Sequence, residues 1–286
     1  MLYYLNLADI NIHVESSFPL LDNDSATEFF SDASVDFVPD LVFKYQPVKQ
    51  LPVPEDIRYE EARRVYTGEG SNASTFFSAV PKGEPYAYVS RISLSQGKLF
   101  CSYLPGKERF INYKRNVLTL MDIEATLLHF GCIILHASLI RYNEKGIVFS
   151  APSGTGKSTQ AGLWEKYTGS DILNGDRAAL RKKNQIWKAY GLPYAGTSGI
   201  YRNESVPLRA VVALRQAKEN SVRRIRGKEA FRYLYPETMI HRWDQTFEIK
   251  ATDLLLEVLS SIPVFLLECR PDQEAVEVLK QQIDLL

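Results

Sequence analysis

Residues 151–158 read APSGTGKS, a set of side chains and spacings suited to holding phosphate. Gly154 and Gly156 let the main chain turn tightly enough for its N–H groups to converge on anionic oxygens. Lys157 brings a point positive charge to the outer phosphates of a nucleotide, and the Ser158 hydroxyl is an oxygen ligand suited to Mg²⁺. The expected phosphate contacts are therefore Ser153, Gly154, Thr155, Gly156, Lys157, Ser158 and Thr159. One position departs from the usual spacing of such a loop, because Ala151 stands where the first glycine is expected.

Moving a phosphoryl group also needs a metal and a group that orients or deprotonates the attacking oxygen. Asp176 follows Ser158 by eighteen residues and ends a short apolar run. A parallel neighbouring strand would bring it beside the loop, as a metal ligand with Ser158 or as a general base. The plainer alternative is a turn aspartate in an Asn-Gly-Asp bend. His136 lies on the apolar run before the loop, either as a hydrogen-bonded core residue or as a catalytic group aimed at the terminal phosphate. Arg202, in the Gly- and Tyr-rich stretch 191–203, and Arg209 after it are each either a surface arginine or a group neutralising charge on the transferred phosphoryl, Arg202 being the catalytic candidate. The run RRIRGK at 223–228 is either a solvated basic face or a place to dock an acidic substrate.

These residues need elements to hold them. The apolar run 147–149 predicts a buried strand entering the loop, and 159–166 a helix leaving it with Leu163 and Trp164 facing inward. Strand, loop and helix in that order are the setting in which a phosphate-binding loop works. Upstream, Leu118, Met121, Ala125 and Leu128 recur at helical spacing and predict one helix over 116–130, capped at Gly131. Strands follow at 132–140, 172–173, 186–190, 207–214 and 263–268, and helices at 228–235, 252–260 and 271–283. The first 112 residues differ in character. Alternating residues at 3–14 suit a strand pair, 22–27 is polar, 35–43 is more apolar, and 46–56 holds three prolines and should be loop. Further β-like runs stand at 86–92 and 98–103. This predicts a β-rich N-terminal domain over 1–112 and a catalytic domain over 113–286, in an α/β (α+β, mixed-sheet) chain that is not a simple doubly wound sheet.

Composition narrows the partners. The 286 residues carry 34 basic and 34 acidic side chains, so no global field steers the chain to nucleic acid or to an anionic membrane. The N-terminus lacks a basic n-region, and no apolar run approaches the length of a bilayer span, so a cytoplasmic protein is expected. The three cysteines are far apart and lack a C-x-x-C pair, as expected of small buried hydrophobes. A homo-oligomer is compatible with the sequence.

With loop, histidine and aspartate placed, residues 115–286 resemble the HPr kinase/phosphorylase family. That family shares its nucleotide-binding core with the ATP-dependent phosphoenolpyruvate carboxykinases. The resemblance rests on Leu135-His136 before the loop, on the loop itself, and on Asn174-Gly175-Asp176-Arg177, where the family has paired aspartates followed by arginine. Gly175 replaces the first of that pair, so one carboxylate remains where the family divides base and metal duties between two. The family's R-G-x-G-containing stretch falls loosely around 196–200. A nearer likeness is to the shorter HPr-kinase-like proteins of peptide-modification clusters, including lasso-peptide serine kinases. It is carried by LHAS at 135–138, LNGD at 173–176, GLPYAGT at 191–197 and LECRP at 267–271. The resemblance implies a P-loop kinase core, ATP and Mg²⁺ as cofactors, and a peptide or protein substrate carrying an acceptor serine. A small hydroxylated metabolite as acceptor, or ATP binding without transfer, are the alternatives.

Overall fold

A computed structural model of the chain describes residues 1–22, 25–31 and 38–286. Residues 23–24 of the polar stretch and 35–37 of the following run lie outside the described residues. The chain forms two compact units, one of Met1–Phe130 with Ile240–Lys250, the other of Gly131–Met239 with Ala251–Leu286. The units therefore divide after Phe130, whereas the shift in residue pattern falls at 112.

The first unit is built on one mixed sheet. Its strands are β1 (Leu2–Leu7), β2 (Ile10–Glu15), β3 (Phe30–Ser31), β4 (Leu41–Pro47), β5 (Ile57–Glu61), β6 (Arg64–Thr67), β7 (Ser74–Ser78), β8 (Pro85–Ser90) and β9 (Lys98–Tyr103). They lie in the order β3-β1-β2-β4-β9-β8-β7-β6-β5. Alternation sets which face is buried: Leu5, Leu7, Ile10, Ile12 and Val14 are in the core. The β1–β2 turn is made by Ala8 and Asp9, both at positive φ, the twist a two-residue hairpin needs.

Two short helices, α1 (Lys114–Leu120) and α2 (Ile123–His129), stand where the periodicity predicted one. The break is at Asp122, at φ +51°, whose carboxylate accepts from Ala125 N and so starts α2 afresh. Asp122 is held there by a buried charge network. Arg91 donates to Asp122 Oδ2 at 2.5 Å and to Asp244 Oδ2 at 3.0 Å, and His241 Nε2 lies 3.4 Å from Asp122 Oδ1.

The second unit holds the predicted site. Its elements are β10 (Cys132–Tyr142), β11 (Lys145–Ser150), α3 (Lys157–Thr168), β12 (Asp171–Asn174), β13 (Arg177–Lys183), β14 (Ile186–Gly191), β15 (Ser205–Gln216), β16 (Ser221–Ile225), α4 (Gly227–Leu234), α5 (Gln245–Ser261), β17 (Val264–Cys269) and α6 (Gln273–Asp284). The residues of α5 up to Lys250 belong to the first unit. Two long strands organise it. β10 pairs with β13 through residues 132–136 and with β11 and β12 through the rest. β15 pairs with β14 at its start, then runs parallel to both β11 and β17. The sheet is mixed, with β16 at its end beyond β17.

β12 and β13 follow the same edge of β10 and part only at Gly175 and Asp176, where Ala137 N donates to Asp176 O at 2.9 Å. The expectation that Asp176 ends a strand directly beside β11 is corrected by this topology. β10, antiparallel to both, lies between β11 and β12. The core of this unit joins Ile147 and Phe149 of β11, Trp164 of α3, Val212 of β15, Leu267 of β17 and Leu279 of α6. That packing fixes α3 against the sheet.

Candidate functional site

β11 delivers the loop and α3 carries it away, so both ends are anchored in the core. Gly154 at φ +78° and Gly156 at φ +118° adopt backbone conformations that side chains rarely allow. Gly156 is the N-cap of α3 and offers no side chain to satisfy the first N–H groups of the helix. These groups are open to an anion, with the positive end of the helix dipole behind them. Lys157 is buried. Its ammonium donates to Ala151 O at 2.8 Å and Pro152 O at 3.3 Å, folding the loop around the charge. Desolvation pulls its pKa down from 10.5, while Glu237 and Asp176 pull back up. A buried ammonium beside an uncapped helix start is a fit for a polyphosphate.

The aspartate segment docks against this loop. Ser158 Oγ donates to Gly175 O at 3.3 Å, and Ser138 Oγ from β10 donates to the same carbonyl at 3.2 Å. Ser158 therefore sits on the peptide that leads into Asp176. An Asx turn shapes the bend, since Asn174 Oδ1 accepts from both Asp176 N and Arg177 N at 2.8 Å. The Asp176 carboxylate is partly exposed and lies 3.5 Å from Arg177 Nε. Gly196 backs directly onto it: a Cβ there would come within 2.8 Å of Asp176 Oδ1. One hydroxyl and one carboxylate make an oxygen donor set suited to Mg²⁺.

His136 shares a face of β10 with Ser138 and pairs in register with Arg177. Its Nδ1 lies 3.1 Å from Oε2 of Glu237, a buried residue following α4. With an Nδ1–H facing this carboxylate, Nε2 is the ring nitrogen left to accept from another group. Glu237 carried no motif in the sequence. Nothing in spacing could have linked residues 136 and 237, which meet because Met239 N bonds Ile134 O and pins this segment to the start of β10.

Arg202 is not brought to this group. Its guanidinium turns to Glu204, at 3.7 Å, and Glu204 also binds Arg141, the partner of Asp171. Asp171 begins β12 and Asp176 follows its end, so Arg202 acts at the far end of that strand. Arg209 similarly reaches Ile283 O of α6, at 3.4 Å. The arginine nearest Asp176 is Arg177, stacked 4.3 Å over the Tyr194 ring. Beside the loop opens a cleft of about 580 Å³ lined by Pro152, Ser153, Gly154 and Thr155 on one side. Arg215, Gln216, Arg232, Tyr233 and Glu237 line the other. Gln216 Nε2 donates to Gly154 O and Thr155 O, at 3.4 and 3.3 Å, tying β15 to the loop.

Among solved structures, the chain is similar to the Hpr(Ser) kinase/phosphatase from Coxiella burnetii, at 11% sequence identity and a TM-score of 0.33, over 53% of this chain and 96% of that one. No protein-family model matches the chain, and no curated protein does. No helix among the described residues is long and apolar enough to cross a membrane.

Proposed function

We propose that the chain is an ATP-dependent phosphotransferase that moves the γ-phosphoryl group to a serine hydroxyl of a peptide or protein. The observation that carries this reading is the loop of Lys157 and Ser158 docked on the Gly175–Asp176 bend, with the His136–Glu237 pair beside it. The open N–H groups of α3 and the Lys157 ammonium hold the phosphates. Mg²⁺, when bound by Ser158 and Asp176, would neutralise charge on the transferred group. His136 Nε2 accepts the proton of the attacking hydroxyl as its oxygen forms a bond to the γ-phosphorus. The bond from that phosphorus to the bridging oxygen breaks, and its electron pair stays on ADP. Glu237 holds the imidazole in the tautomer that can accept. This division leaves Asp176 free of the base role that a lone carboxylate would otherwise have to combine with metal binding.

One observation favours a second reading, an ATP-binding regulator without transfer: the place for a second carboxylate at 175 is filled by Ser198. The two are separated by incubating the chain with Mg²⁺, γ-labelled ATP and serine-containing peptides. Label on a peptide is expected. Lys157→Ala should abolish labelling while leaving the circular-dichroism spectrum unchanged. ATP binding with no labelled peptide, and no ATP consumed against a mixture of hydroxylated metabolites, would establish the regulator instead.

A further inference from the structure

β16 is the last strand of its sheet. Among the described residues its only strand partner is β17, in antiparallel register from Ser221↔Glu268 to Ile225↔Val264. Alternate N–H and C=O groups along it therefore point away from the sheet, a template for one more strand. The strand is mostly exposed, with only Ile225 buried. Its charge is unusual for this chain. Residues 215–232 contain seven Lys and Arg against two Glu, in a molecule whose formal net charge is zero. Arg223 is held by Glu229 and Arg215 by Glu268. Arg224, Arg226 and Lys228 are exposed and, among the described residues, have no ion-pair partner. Arg232, one turn beyond Lys228 on α4, lines the cleft beside the phosphate loop together with Arg215. The basic strip thus runs from the sheet edge into the candidate site.

We propose that the β16 edge, with Arg224, Arg226 and Lys228, docks an acidic extended segment of a partner polypeptide by strand addition. Like charge on such an edge keeps two copies from pairing with each other, so the edge admits an occupant of opposite sign. Main-chain groups in strand register match another peptide backbone, which nucleic acid and lipid headgroups do not supply. The surface rests on the kinase reading only in that it gives an acceptor polypeptide a place to bind near the loop. Its test uses no turnover.

The test is fluorescence anisotropy of the whole chain with a labelled synthetic peptide in which Glu alternates with Val. Saturable binding that weakens with added salt is expected. Arg224→Glu with Arg226→Glu should weaken it about tenfold or more, and the corresponding glutamine pair by less. N-methylation of alternate peptide amides should abolish binding, because it removes the strand hydrogen bonds and leaves the charges in place. Equal binding of the methylated peptide, or of the double-glutamate variant, would overturn the proposal. So would displacement of the peptide by polyuridylate or phosphatidylserine vesicles at lower concentration than by unlabelled peptide. Calorimetric ATP binding should be the same in the double variant as in the parent. A chain that binds the peptide but not ATP would sink the kinase reading and leave the docking surface standing.

Discussion

A Cβ built at position 175 would lie 1.9 Å from Ser198 Oγ and 2.6 Å from Ser198 Cβ. The loop following β14 thus occupies the space that any side chain at 175 would need, and Ser198 is fixed there by its bond to Ala195 O at 2.8 Å. Gly175→Ala should therefore cost about 1–3 kcal/mol. Adding Ser198→Gly should recover most of that loss, a coupling that urea denaturation of the two single variants and the double variant would measure. The neighbouring Lys157 gives a pH signature. Burial disfavours its ammonium, so its folded pKa lies below 10.5. Bound polyphosphate would favour the charged form and raise the pKa again. ATP affinity should hold while Lys157 is charged and fall as pH rises through the lowered pKa, with proton uptake on binding in that window. Calorimetry in buffers of different ionisation enthalpy would detect the uptake, and Lys157→Arg should lose it. At this scale the sequence showed the loop and Asp176, because both are carried by local spacing. Glu237 and Gln216 were invisible, since each acts on a residue more than sixty positions away.

The elements were legible where one period governed a segment and misread where a distant contact overrode it. β10, β11 and α3 emerge from apolar runs and helical spacing at nearly their observed bounds. The helix predicted over 116–130 is split because Asp122 takes a left-handed conformation to meet Arg91 and His241, residues far from it in sequence. The sequence suggests a parallel neighbour of β11 leading into Asp176, but β10 stands between β11 and β12, and a strand of four residues carries no information on its neighbour. Asp244 shows how such a network bears on stability. Fully buried, it accepts from Gly70 N at 3.1 Å, from Arg91, and from Phe247 N at 3.0 Å in the first turn of α5. Asp244→Ala would leave the Arg91 guanidinium with a single carboxylate partner, Asp122, and uncap the helix. It should cost about 3–5 kcal/mol, read as a lower denaturant midpoint. Asp244→Asn keeps an acceptor for the helix and should lose less.

Across the whole molecule the three cysteines report on opening. All are buried, and burial raises each thiol pKa: Cys101 furthest, Cys132 to about 12 and Cys269 to about 11. At neutral pH almost no thiolate is present, so the folded chain should resist iodoacetamide at all three and lose that resistance in denaturant. Cys269 is the informative one. It ends β17, and its sulfur accepts from Gln160 Nε2 of α3 at 3.2 Å, so α3 forms part of its cover and loosening of α3 exposes it further. A ligand held at the start of α3 stabilises the closed form by mass action. Millimolar MgATP should therefore slow Cys269 alkylation relative to ATP-free protein, with little change at Cys101 in the other unit. Lys157→Ala should erase the difference, which peptide mass spectrometry after a timed quench would quantify. An unchanged rate at Cys269 in saturating MgATP would mean that the loop on α3 is not where nucleotide binds.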